Sequence, residues 1–345
     1  MTISGPPTRP PALVPSKTYV YKTVNKTPLL IDIFLPPNQT IISLPIMLFI
    51  HGGAWMSGDR TDYSRPLFHD FLSLNFVVCS MDYRLLPETS LTGLMEDVRD
   101  VEPWLRQVLP TEMMKERVEV DGERLVVVGA SAGGHLALLT PKLWTCPPLA
   151  IFSLYAPTNM HNLPYLNRGR LSIANCPLPD CTASLLAAAT NYDNPPSGFA
   201  IPQSKEDYEH PRRYMALHVF RKSRIVEFLW MGLVRCRDGE GKGELRLPRK
   251  GSVASEAIDD ISPDHLCTKI RYPPTYQVMG ENDEVFDISH ALEFGKKLEK
   301  IGVACKTVVV EGEGHAFDIW AELGGKADVW ILRPAVEWVA GLAVT

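Results

Sequence analysis

The sequence has little of what marks a disulfide-built, membrane-spanning or nucleic-acid-binding chain. Its 345 residues hold seven cysteines, at 79, 146, 176, 181, 236, 267 and 305. The odd count and scattered spacing argue against a disulfide framework. Cys176 and Cys181 could pair or share a metal, yet no Cys or His partner stands nearby at zinc-like spacing. Free thiols in a reducing compartment are therefore expected. Positive charge is in deficit: 35 Lys and Arg face 40 Asp and Glu, a formal net charge of −5, which gives no support for nucleic-acid binding. The mixed-charge stretch Arg235 to Lys250 also carries Asp238, Glu240 and Glu244 among glycines, and reads as a solvated loop rather than a phosphate-binding patch. No apolar run approaches the length of a membrane span. Residues 1–16 are proline-rich and lack the apolar centre of a signal peptide, so a cytoplasmic protein is expected. No internal repeat is visible, and neither a metal nor an organic cofactor is expected.

With 45% hydrophobic and 22% charged residues, the chain has an ordinary globular balance and enough length for a large core. Residues 1–17 are expected to form a flexible or loosely docked arm, given Pro6, Pro7, Pro10, Pro11 and Pro15. Two antiparallel strands are predicted over 18–35 with a turn near Asn25-Lys26. Short continuous apolar runs at 45–50, 75–81, 124–128 and 149–155 have the pattern of strands buried on both faces. Helical spacing separates them at 63–74 and 91–108. Alternation stops at Ala156-Pro157 and resumes with a strand at 275–279, a helix at 289–301, a strand at 306–310 and a final helix over 326–342. This order predicts an α/β fold with a doubly wound, mostly parallel sheet. Residues 18–157 and 266–345 make its core. The interval 158–265 is too long for a plain loop. It is expected to be a mainly helical cap over the carboxyl edge of the sheet, the alternative being a separate interaction domain.

Gly129-Ala130-Ser131-Ala132-Gly133-Gly134 follows the strand 124–128 and leads into a helix-compatible run. Glycines on both sides of Ser131 allow a sharp strand-to-helix turn that lifts the serine to the carboxyl edge of the sheet, where such sheets place their ligands. A plain Gly/Ser-rich turn is the structural alternative. Ser131 needs a base, and the base needs an orienting partner. His315 follows the strand 306–310 and Asp283 follows the strand 275–279, both at the same edge as Ser131. Glu281, Glu284 and Asp287 compete locally with Asp283, which is favoured by its offset from the strand end; the others are expected to be solvated loop charges. An oxyanion would be met by the N–H groups of Gly52, Gly53 and Ala132. His51-Gly52-Gly53 could also be a simple tight turn, with His51 structural rather than a second base.

Together these residues resemble the α/β-hydrolase fold and, within it, the hormone-sensitive-lipase-like carboxylesterases. The segments that carry the resemblance are His51-Gly52-Gly53-Ala54-Trp55, Asp82-Tyr83-Arg84-Leu85-Leu86-Pro87-Glu88 and 129–134, completed by Asp283 and His315. The resemblance implies a cofactor-free serine esterase with Ser131 as nucleophile, His315 as base, Asp283 as orienting acid and Gly52, Gly53 and Ala132 as oxyanion donors. Its substrate would be a small-molecule ester, a lactone or an acyl group, and Tyr83 to Glu88 would be a structural segment below the site. The third residue of the family's glycine run is Ala54 here. Trp55 after it also resembles kynurenine formamidases, which makes amide or formamide hydrolysis the alternative and Trp55 a candidate substrate contact. The family's N-terminal cap is missing, and the 158–265 insertion is expected to replace it. Tyr165, Leu229 and Trp230 are candidates for its pocket wall or for its own core. Some relatives of this fold have lost the histidine and act as receptors; the presence of His315 disfavours that third reading.

Overall fold

The structure is a computed structural model that describes residues 11–38, 43–163, 178–200, 209–236 and 243–344. Strands β1 (Lys17–Val24) and β2 (Thr27–Phe34) form the expected antiparallel pair, turning through Asn25 and Lys26 at φ 47° and 71°. β3 (Ser43–Ile50), β4 (Val77–Met81), β5 (Glu119–Ala130) and β6 (Ala150–Leu154) come from the predicted apolar runs. β7 (Val234–Cys236) and β8 (Glu244–Arg246) form a small separate hairpin. β9 (Thr275–Gly280) and β10 (Cys305–Val310) complete the main sheet. Its order is β1-β2-β4-β3-β5-β6-β9-β10, parallel from β4 onward. Every residue of β4 and β6 is buried, because helices cover both faces.

Helix α1 (Arg65–Ser73) packs with the final helix, Arg333–Val344, while α2 (Leu91–Pro103) packs with α4 (Ala132–Leu143). The predicted 91–108 helix runs further than its spacing indicated. Beyond Pro103, which cannot donate a backbone hydrogen bond, a wide π-type turn (Trp104–Val108) leads into α3 (Leu109–Lys115). Residues 1–10 of the expected arm lie outside the described residues. Residues 11–16 are held to the core: the Leu13 N–H donates to Tyr63 Oη at 3.1 Å, and Arg65 Nε donates to the Pro11 carbonyl at 3.0 Å. Lys17 already belongs to β1. Among the described residues, no helix is long and apolar enough to cross a membrane. The six described cysteines are free thiols, and Cys176 lies outside the described residues.

The 158–265 insertion is mainly helical where it is described. It contains α5 (Ala183–Ala188), the helices Pro211–Arg221, Ile225–Met231, Ser255–Asp259 and Pro263–Leu266, and the β7–β8 hairpin. Arg212 fastens it to the core. The Arg212 side chain is 4% exposed and its Glu88 partner 0%, with Nη1 and Nη2 at 2.8 and 2.9 Å from the two carboxylate oxygens. The same guanidinium donates to the carbonyls of Met56, Leu86 and Ala189. Met56 and Leu86 stand on the loops that follow β3 and β4, so one side chain ties the insertion to both loops. Arg212→Met leaves the buried Glu88 carboxylate with the Asn191 N–H, 2.8 Å from Oε1, but without its cation. It is expected to lower unfolding free energy by about 3–5 kcal/mol, measured by urea denaturation. Arg212→Met/Glu88→Gln should recover part of that loss, and a single variant as stable as the parent would show that the pair does not fasten the insertion.

Asp70 of α1 and Asp328 are both buried, and Arg333 reaches both, at 3.5 and 3.0 Å. Burial, and then the Asp328 carboxyl beside it, push the Asp70 pKa up to about 7. The folded protein thus retains a proton that the unfolded chain, with a carboxyl pKa of about 4, releases. The stability this confers is complete below about pH 4 and is lost as pH rises through about 7. Asp70→Asn cannot titrate. Its stability relative to the parent should therefore rise by on the order of 2 kcal/mol between pH 5 and pH 8 in paired urea melts. A difference independent of pH would show that Asp70 holds no such proton.

Candidate active site

The backbone at Ser131 places its side chain. β5 ends at Ala130 and α4 begins at Ala132, leaving Ser131 at φ 54° and ψ −119°. A Cβ on Gly129 would lie 2.2 Å from the Gly133 carbonyl oxygen, and one on Gly133 would lie 2.1 Å from that of Ile50. Only glycine permits so close an approach of β5, α4 and β3. The Ser131 N–H donates to the Leu154 carbonyl at 2.8 Å, fixing the turn to the neighbouring strand.

Ser131, His315 and Asp283 come together from three strand ends. His315 Nε2 lies 2.9 Å from Ser131 Oγ, and His315 Nδ1 lies 2.8 Å from Asp283 Oδ2. Asp283 is 1% exposed, and its other oxygen accepts the N–H groups of Val285 and Phe286 at 2.8 and 2.9 Å. An ionised carboxylate there has hydrogen bonds on both oxygens, which offset its desolvation. The neutral histidine tautomer consistent with this geometry carries its proton on Nδ1 towards Asp283, leaving Nε2 to accept from the serine hydroxyl.

The acids flanking Asp283 are not simply solvated. Glu284 accepts the His315 N–H at 3.0 Å, and Glu281 accepts the Gly312 N–H at 3.1 Å. They tie the loop after β9 to the loop after β10, which positions Asp283 against His315. Asp287 accepts the Ser289 N–H at 2.9 Å at the start of the helix Ser289–Lys300.

Gly52 stands directly beside the serine: a Cβ there would be 3.2 Å from the Ser131 Cβ. Gly53 has φ 109°, and a Cβ there would fall 2.0 Å from the Ser57 carbonyl oxygen. The loop's carbonyls are occupied inward. His51 O accepts from Tyr83 Oη at 3.0 Å, and Gly53 O accepts from the N–H groups of Met56 and Ser57 at 3.0 and 2.9 Å. As the first residue of α4, Ala132 has no partner for its N–H within the helix. His51 packs its ring on Tyr83 with centroids 4.2 Å apart, and its Nδ1 lies 2.7 Å from the Gly52 carbonyl oxygen. Burial lowers its pKa, so it is a neutral structural ring. Tyr83 packs against this loop through the His51 ring and carbonyl.

Trp55 is a correction. Its side chain is fully buried and meets His135 edge-on at 5.5 Å. Positive φ at Ala54 and Trp55, 55° and 61°, turns the ring into the core instead of towards a ligand. Leu229 is likewise buried, Trp230 is half-buried against the hydrophobic core, and Tyr165 lies outside the described residues.

Two groups around His315 were missed from the sequence. The Tyr155 ring stands edge-on to the imidazole at 4.7 Å, and Phe286 does so at 5.5 Å. Tyr155 has φ 39° and its hydroxyl lies 2.5 Å from Asp318 Oδ1. Its position at the end of β6, on the edge shared by the other three residues, was the available signal. Among the described residues, no three His, Cys, Asp or Glu side chains are grouped to hold a metal ion.

The BD-FAE family model matches residues 31–144, the segment containing the Gly52-Gly53 loop and Ser131. A non-reducing polyketide synthase, atr1 of Stereocaulon alpinum, is 31% identical over 333 residues, covering 91% of this chain and 12% of that protein. The chain thus spans about one eighth of that relative's length. Among solved structures, a Staphylococcus aureus Mu50 protein of unknown function aligns with a TM-score of 0.65 at 15% identity, covering 95% of this chain and 100% of its own. A butyrate-bound esterase from Thermogutta terrifontis aligns with a TM-score of 0.54 at 20% identity, covering 95% of this chain and 93% of its own.

Proposed function

We propose that the chain, which has the fold of the α/β-hydrolases, is a serine hydrolase cleaving a carboxylic ester through an acyl-enzyme. The observation that carries this reading is the unbroken line from Ser131 Oγ through the His315 ring to Asp283, at 2.9 and 2.8 Å. Ser131 Oγ attacks the carbonyl carbon while Nε2 of His315 takes its proton. Asp283 holds the ring and stabilises the imidazolium that forms. The carbonyl oxygen becomes an oxyanion beside Gly52, Gly53 and Ala132, whose N–H groups are fixed before reaction begins. The protonated His315 then gives its proton to the leaving alcohol, and the acyl group stays on Ser131. A water molecule, deprotonated by His315, releases the acid and restores the serine. The similarity to part of a polyketide synthase extends the proposal to the substrate: an ester or thioester whose acyl part is a polyketide.

The reading is tested with short p-nitrophenyl esters and a fluorophosphonate probe. The parent should turn over the former and be labelled by the latter at Ser131. Ser131→Ala should lose labelling and at least about 10⁴-fold in turnover, and Asp283→Asn about 10⁴-fold through the wrong histidine tautomer. A folded parent inert towards both reagents would overturn the proposal. Phenyl acetate compared with N-formylkynurenine separates ester from formamide hydrolysis.

Tyr155 enters as a positioning residue. Tyr155→Leu removes the ring behind His315 and is expected to lower kcat about 10- to 100-fold with little change in KM, while Tyr155→Phe, which keeps the ring, retains most of the rate. Equal rates for Leu and Phe would show that the ring does not position His315.

A further inference from the structure

The insertion contains a second concave site, separate in sequence from the loops that carry Ser131, Asp283 and His315. It is a cavity of about 420 Å³ between the first turn of α5, the turn joining helices Pro211–Arg221 and Ile225–Met231, and β8 with the residues after it. Among the described residues, Lys222, Arg224, Arg246 and Arg249 line it, against one carboxylate, Glu244. Arg246 accounts for that carboxylate, with its Nη2 3.1 Å from Glu244 Oε2. Four cations and one anion leave the described lining with three positive charges in excess, in a chain whose net charge is −5. The cluster therefore runs against the overall composition.

Arg224 distinguishes this cavity from a scatter of surface charge. Its Nη1 is buried and makes no hydrogen bond among the described residues. Arg224 lines the cavity and makes no ion pair among the described residues, so its charge is available to an oxyanion there. Arginine's planar fork suits a phosphate or carboxylate that presents two oxygens. Lys222 and Arg224 flank Ser223, whose φ of 50° makes the tight turn that brings both to the same wall. Apolar side chains line it too: Leu186, 1% exposed, Leu245, 8% exposed, Leu247 and Pro248. The lining thus combines cationic with apolar side chains.

We infer that this cavity is a binding site for an organic anion that joins an oxyanion head, phosphate or carboxylate, to a short apolar body. Arg224 receives the head, Lys222 and Arg249 add attraction around it, and Leu186 and Leu245 take the body.

The test is isothermal titration calorimetry of Ser131→Ala protein, which lacks the proposed nucleophile, so the outcome does not depend on whether the chain hydrolyses esters. The probes are phenyl phosphate, benzoate and inorganic phosphate. Phenyl phosphate should bind at least about tenfold more tightly than inorganic phosphate because its ring leaves water, and binding should weaken with added salt. Benzoate against phenyl phosphate reports which head is preferred. Arg224→Gln should weaken binding at least about tenfold. Because Arg224 precedes a helix, Arg249→Gln serves as a second variant at an exposed position, and circular dichroism verifies both folds. Phenyl phosphate producing no saturable heat would overturn the proposal. So would binding undiminished in both folded variants, which would place the ligand elsewhere.

Discussion

The backbone of one residue governs the rest of the site. Ser131 is held at φ 54° and ψ −119°, a conformation that an L-residue adopts only when its surroundings impose it, at a cost of about 1–3 kcal/mol. The surroundings do impose it. β5 delivers the chain from between two parallel neighbours, α4 must start at once, and Gly129 and Gly133 let backbone meet backbone where any side chain would collide. The strain lifts Oγ out of the packed layer to the height of the loops after β3, β9 and β10. Each of those loops then brings one part of the proposed site beside Ser131: Gly52 and Gly53, Asp283, and His315.

Those loops are rigid for different reasons. The Gly52-Gly53 loop directs its carbonyls inward to Tyr83 and to its own following turn, and the stacked His51 ring closes it from below. The loops after β9 and β10 are tied to each other by Glu281 and Glu284, which accept backbone N–H groups across the gap. Tyr155 and Phe286 then fill the space around the His315 ring. An imidazole so enclosed has few rotamers open to it, so the distances to Ser131 and Asp283 are set by packing as well as by the hydrogen bonds themselves.

What could be read from the sequence follows from how each feature is encoded. The parallel sheet was legible because strands buried on both faces are written as unbroken apolar runs, as in β3 and β4. Ser131, Asp283 and His315 were legible because a parallel sheet puts every strand-to-helix loop on one edge, so position after a strand fixes location in space. Trp55 was not, because the inward turn depends on positive φ at Ala54 and Trp55, which neither residue type announces. Glu281 and Glu284 looked like loop charges because their partners are backbone N–H groups some thirty residues away. Tyr155 was hidden in an apolar strand end, where an aromatic residue looks like core. The insertion gave only its helical character, since its position depends on a few polar contacts with the core.

Those contacts explain why the junction uses a buried ion pair at all. An ion pair taken out of water is weak evidence for stability, and well-packed apolar residues often do as well. At Arg212 the alternative is poor. The guanidinium serves Glu88 and also three carbonyls, those of Met56, Leu86 and Ala189. Apolar replacements would fill the volume but leave those carbonyls without this donor, each at about 1–3 kcal/mol. Few arrangements other than a planar fork supply that many donors from one side chain. Because the carbonyls belong to the loops after β3 and β4 and to the end of α5, satisfying all of them at once admits one orientation of the helix Pro211–Arg221. The contact that appears electrostatically extravagant thus fixes the insertion against the loops that follow β3 and β4.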